Sequence, residues 1–180
     1  MSTYTQLELL HPLTLFRKRD GRPLPVFEEI DGASMPEPYR SLLVHNGDMT
    51  SRLEQFHGSP MKLRILHIER VGKEYRREVL LCAQDSGLPV EYGAIEIHLE
   101  AFPEELREQI VEAKLPLGGL LNRSQFVYGS NPRAYLRLLP DLSLARLFGA
   151  EGAPSLYGRC NVLLDQAGAE LAHIVEVLRP

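Results

Sequence analysis

Between Met61 and Leu99 the chain is written as three strand-like runs separated by two tight turns, and this pattern narrows the fold more than any other feature. Met61–Val71 alternates apolar and polar residues, with a slip of phase between Ile65 and Leu66 of the kind a β-bulge produces. Gly72-Lys73 turns it into Tyr75–Ala83. Asp85-Ser86-Gly87 then turns into Pro89–Leu99, where Ile95, Ile97 and Leu99 share a face. Turns this short join antiparallel neighbours, so an antiparallel meander is predicted.

Helical signals flank the meander. Pro36-Glu37-Pro38 opens a helix to about Val44. A second is expected over Asp48–Gly58: Ser51 and Glu54 have capping-box spacing, Met49, Leu53 and Phe56 fall on one face, and Gly58 ends it. Phe102–Ala113 reads as a third, with acids in its first turn and Leu106 and Ile110 pointing inward. Leu115–Leu121 breaks the pattern. Phe126–Tyr128 and Ala134–Leu139 read as short strands, and Ser143–Phe148 as a helical turn closed by Gly149. Tyr157–Asp165 and Glu170–Leu178 form a final hairpin. Met1–Ser34, broken by Pro12, Pro23 and Pro25, reads as an irregular arm with a short strand or helix. The sum is α+β: one domain over residues 1–180, an antiparallel sheet with helices packed on it.

Composition removes several function classes. With 44% hydrophobic and 24% charged residues in 180, the chain can build one real core. A net charge of −4 supplies no electrostatic footprint for nucleic acid. No apolar run is long enough to span a membrane, and the first ten residues lack a signal-peptide pattern, so a cytoplasmic location is expected. Cys82 and Cys160 lie in apolar strand-like runs and read as buried thiols. Nucleotide-binding, zinc-protease and hydrolase-elbow signatures are missing, and no two of the six histidines stand four apart. No metal is therefore expected.

Two charges interrupt the apolar faces. Tyr75, Arg77, Val79, Leu81 and Ala83 share one side of their strand, and Ala172, Ile174, Glu176 and Leu178 one side of theirs. A buried charge is costly unless it is paired or meets a ligand. Arg77 is thus either a structural ion-pair member or a fork for a ligand carboxylate. Glu176 either pairs with Arg77 or accepts a ligand hydroxyl or proton. Met49 reads as core or as an adaptable pocket wall, and Leu117-Gly118-Gly119 as a helix cap and turn or as a hinge over a site. Arg159 is most simply a structural or exposed strand arginine.

Five segments in order also resemble a known family. Asp48-Met49-Thr50-Ser51-Arg52-Leu53-Glu54, Arg77-Glu78-Val79-Leu80-Leu81-Cys82, Pro116-Leu117-Gly118, Tyr157-Gly158-Arg159 and Glu176 look like the motifs of chorismate pyruvate-lyase (4-hydroxybenzoate synthase), and more narrowly of the divergent chorismate-lyase-like branch. The resemblance spans residues 42–180. It implies an antiparallel sheet with flap-like segments enclosing an aromatic acid. It implies that Arg77 binds the ring carboxylate, that Glu176 meets the far side of the ring, and that Met49 and Leu117 line the pocket and flap. The activity implied is a cofactor-independent carbon–oxygen lyase that splits chorismate into 4-hydroxybenzoate and pyruvate and retains the aromatic product.

One departure stands out. The family's arginine on the strand after Arg77 is missing, for that stretch reads Tyr92-Gly93-Ala94-Ile95-Glu96. The group meeting a second carboxylate is left open among Arg64, Arg123 and Arg159. Chorismate lyase is the first expectation. A non-catalytic binder of a small aromatic acid and a lyase on a related enolpyruvyl compound are the alternatives.

Overall fold

The computed structural model describes residues 5–139 and 142–179. The remainder of the sequence, including the first four residues of the expected arm, lies outside the described residues. In chain order the elements are α1 (Gln6–Leu9), α2 (Leu13–Arg19), β1 (Phe27–Ile30), α3 (Tyr39–Leu43), α4 (Met49–His57), β2 (Met61–Val71), β3 (Glu74–Ala83), β4 (Pro89–His98), α5 (Glu104–Glu112), α6 (Leu117–Arg123), β5 (Gly129–Leu138), α7 (Leu142–Phe148), β6 (Leu156–Leu164) and β7 (Glu170–Leu178).

The meander forms as expected. β2, β3 and β4 pair antiparallel, and the register of β2 slips between Ile65 and His67. All pairings among the described residues are antiparallel, in one sheet of order β1-β5-β6-β7-β4-β3-β2. The expected pair of short strands around residues 126–139 is instead the single strand β5, whose register shifts between Pro132 and Ala134. Proline has no N–H to give a ladder, so the bulge falls there and breaks the alternation. Leu115–Leu121 does not end a helix but begins one, with Pro116 in the cap position of α6.

The arm is more regular than expected. Thr5 and Glu8 form a reciprocal capping box at α1: the Thr5 hydroxyl accepts from the Glu8 N–H at 3.3 Å, and the Glu8 carboxylate accepts from the Thr5 N–H at 2.7 Å. Leu9, Leu10, Leu13 and Phe16 then cover one face of the sheet together with Leu144 and Phe148 of α7, packing on Leu80, Tyr92, Ala94, Val175 and Val177. The opposite face carries two apolar clusters. One lies under α5 and α6 and includes Tyr75, Ile95, Ile97, Leu106 and Leu120. The other lies under α3 and α4 and includes Leu43, Met49, Leu53, Leu81 and Leu178. Residues of both clusters wall a cavity that also has charged groups in its lining. Among the described residues, no helix is long and apolar enough to cross a membrane.

Candidate functional site

Alternation along four strands aims charged side chains at that cavity. Arg77 comes from β3, Glu91 from β4, Arg159 from β6 and Glu176 from β7. The cover is built from the starts of two helices, Asp48-Met49-Thr50 of the α4 entry and Pro116-Leu117-Gly118 of the α6 entry, with Tyr128 beside them. Met49, Arg77, Leu117 and Glu176, the four residues singled out from sequence, therefore line one cavity.

The cover is latched by side chains. The Asp48 carboxylate caps α4 by accepting from the Ser51 N–H at 2.8 Å, and its second oxygen accepts from Asn122 Nδ2 of α6 at 3.0 Å. The Tyr128 hydroxyl donates to Asn122 Oδ1 at 3.2 Å. Burial pushes that phenol above its ordinary range, helped by the negative charges of Asp48 and Glu176. Gly118 lets the two helix starts touch, because a Cβ there would lie 3.2 Å from the Asp48 Cβ and 3.3 Å from the Thr50 hydroxyl.

Glu176 does not pair with Arg77. It stands directly across from Arg159 in the β6–β7 ladder, and the Arg159 Nε donates to its carboxylate. The Arg159 Nη1 also donates to the carbonyls of Leu43 at 3.2 Å and His45 at 3.0 Å. The reading of Arg159 as exposed fails, since it is 1% exposed. His45 is held in turn. A carbonyl only accepts, so its Nε2 carries the proton given to Leu42 O at 2.7 Å, and its Nδ1 accepts from the Gly47 N–H at 3.1 Å. Burial, reinforced by the Arg159 charge, lowers the His45 pKa to about 4, so the ring is neutral.

Arg77 is different. It is 2% exposed, no carboxylate among the described residues pairs with it, and its Nε has no hydrogen-bond partner. Its Nη1 donates a long hydrogen bond to Ile110 O at 3.5 Å, and the Tyr75 phenol lies near the guanidinium. Burial holds its pKa below that of an ordinary guanidinium. Charges on the other face of the same strands are all engaged. Glu78 accepts from Tyr92 at 2.6 Å and from Arg19 at 2.9 Å, and Glu96 binds both Arg76 and His11.

Glu91 escaped the sequence reading. Its signal is nonetheless in the sequence, for it is in phase with Gly93, Ile95 and Ile97. It is 4% exposed, and its Oε2 has no hydrogen-bond partner. Burial, with Glu176 close by, raises its pKa well above the usual carboxylate value against the opposing pull of Arg159.

Away from the cavity, strand pairing gathers His98, Glu170 and His173, whose ligand atoms lie within 4.8 Å of one another. Spacing along the sequence could not reveal this group, because β4 and β7 assemble it. Glu170 bonds His173 at 3.0 Å and faces Arg133 at 3.7 Å, and the His98 ring meets the His173 ring edge-on.

No protein-family model matches the chain, and no curated protein matches it. Solved structures do. The effector domain of PhnF from Mycobacterium smegmatis is similar over 74% of this chain and 88% of its own, with 16% identity and a TM-score of 0.56. The structure of PhnF from the same organism is similar over 93% of each chain, with 14% identity and a TM-score of 0.56. A GntR-family transcriptional regulator from Bacillus cereus is a more distant likeness, with 13% identity over 67% of this chain and 92% of its own and a TM-score of 0.48. The likeness shows the fold, an antiparallel sheet with helices of the kind found in the PhnF effector domain. It agrees with a chorismate-lyase-like architecture and indicates no particular lyase family.

The PhnF likeness overturns the expected chorismate lyase activity and its retained 4-hydroxybenzoate. The site explains why. Chorismate brings two carboxylates, but only one lining arginine, Arg77, lacks a carboxylate partner among the described residues, and the next strand offers Glu91 rather than a cation. Glu176 is bound to Arg159. The cavity measures about 70 Å³, whereas roughly 150 Å³ holds a benzene ring.

Proposed function

We propose that the chain is a non-catalytic binding domain for a small organic anion, with Arg77 as the anchor. One observation carries this reading: a guanidinium 2% exposed, without a carboxylate partner among the described residues, lines a partly open cavity. A buried cation in that state is a liability unless an anion completes it. Arginine suits a carboxylate because its planar fork donates two parallel hydrogen bonds. Met49 and Leu117 supply apolar walls, and the starts of α4 and α6 close over the site. The likeness to a domain described as the effector domain of PhnF supports a sensing role over a chemical one.

Thermal melting in the presence of small carboxylates tests the reading. A ligand at a hundred times its Kd stabilises a fold by about 2.7 kcal/mol, roughly 5–10 °C for a chain of this size. Such a shift is expected for the wild type and absent for Arg77→Met. The variant itself should melt no lower than the wild type, because an unmatched buried charge is exchanged for an apolar side chain. An equal ligand response in both proteins, or none in either, rejects the proposal.

A further inference from the structure

The lining of the cavity also limits what the anion can be. Four buried ionisable groups face it from four strands, and two of them, Arg159 and Glu176, are occupied with each other. That leaves Arg77 and Glu91, each with a buried polar atom lacking a partner and with no ion pair between them. Gly93, the next inward position on β4, keeps the floor beside Glu91 low: a Cβ there would lie 3.1 Å from a Val79 methyl and 3.7 Å from the Glu91 carboxyl.

We propose that Arg77 and Glu91 form a two-point clamp for a small monoanion that also carries an uncharged hydrogen-bonding oxygen, a hydroxy or oxo acid rather than a diacid or an amino acid. The inference rests on the reading of the cavity as an anion site and adds the class of ligand. Arg77 supplies one unmatched positive charge, which one carboxylate neutralises. A second carboxylate would meet Glu91 and Glu176, two acids and no free cation. An ammonium group would need Glu91 ionised, but burial and the adjacent Glu176 charge favour its neutral form. A neutral carboxyl group has one O–H to donate and a carbonyl oxygen to accept with, which matches a hydroxyl or keto oxygen. The inner part of the cavity, about 70 Å³, fits a compact ligand.

The test uses the full chain, four compact probes and two readouts. Calorimetric titration at pH 7 compares glycolate with acetate, malonate and glycine on the wild type, Glu91→Gln, Glu91→Leu and Arg77→Met. Carbon-13 NMR of the side-chain carboxyls follows Glu91 in the free protein. Glycolate should bind about tenfold tighter than acetate, the size of one additional hydrogen bond. That preference should survive largely in Glu91→Gln, whose amide still donates, and vanish in Glu91→Leu. Malonate and glycine should bind worst, Arg77→Met should bind none of the four, and Glu91 should be protonated at pH 7. Equal binding of acetate and glycolate, lost in Arg77→Met but indifferent to residue 91, overturns the clamp and leaves the anion site standing. Glycine or malonate as the best ligand, or an ionised Glu91 at pH 7, also overturns it. If no probe binds any variant, the anion-site reading falls and takes the clamp with it.

Discussion

The Arg159–Glu176 pair is the residue-scale support of the site. It is fully enclosed, and Arg159 also satisfies two carbonyls of the segment leading into α4. Arg159→Met strands a buried carboxylate beside Glu91 and removes the donor from Leu43 and His45. Urea unfolding should show a loss of about 3–5 kcal/mol, most of it recovered by adding Glu176→Leu, since removing both ions costs far less than removing one. His45 makes the same segment sensitive to acid. Its folded pKa of about 4 lies below the ordinary 6.5, so between these values the unfolded chain binds more protons. Stability should therefore fall as pH drops from about 6.5 to about 4, and His45→Gln should flatten that slope in urea midpoints measured across the window. Alternation alone was enough to make Arg77 and Glu176 legible in the sequence. Their partners were not legible, because which cation lies opposite Glu176 depends on the β6–β7 register and not on distance along the chain.

Strands and helix starts show a different division. The meander, its bulge, the helix over Met49–His57 and the final hairpin could all be read from alternation and turn residues, but the helix is capped by Asp48 and not by the expected Ser51–Glu54 box, since Ser51 lies inside the helix and Glu54 bonds the Met61 N–H. α6 could not, because Leu117-Gly118-Gly119 has the composition of a break. Its helical form depends on Pro116 at the cap and on contact with Asp48 and Thr50. Gly158 is the strand-scale counterpart. A Cβ at this position would lie 2.3 Å from the backbone oxygen of Glu176, so any side chain pushes β6 away from β7. Gly158→Ala should cost about 1–3 kcal/mol in urea unfolding, the usual penalty for overpacking. It should also weaken anion binding, because the strands it separates carry Arg159 and Glu176.

At the scale of the whole molecule, both faces of the sheet are covered, and the N-terminal segment supplies part of one cover. Leu13 is fully buried in the cluster with Phe16, Phe148 and Val177. Leu13→Ala should therefore destabilise the entire cooperative unit by about 2–5 kcal/mol, as a core truncation does, with circular dichroism and fluorescence melts coinciding. A detachable arm would leave the melting temperature unchanged. The sequence by itself determined the fold class, the meander and the two inward charges, because periodicity and turn chemistry act over a few neighbouring residues. Only the tertiary structure decided that Glu176 belongs to Arg159 and that Arg77 and Glu91 are left facing one small cavity. Those outcomes turn on which strands become neighbours and how closely two helix starts approach, and both are set by long-range packing.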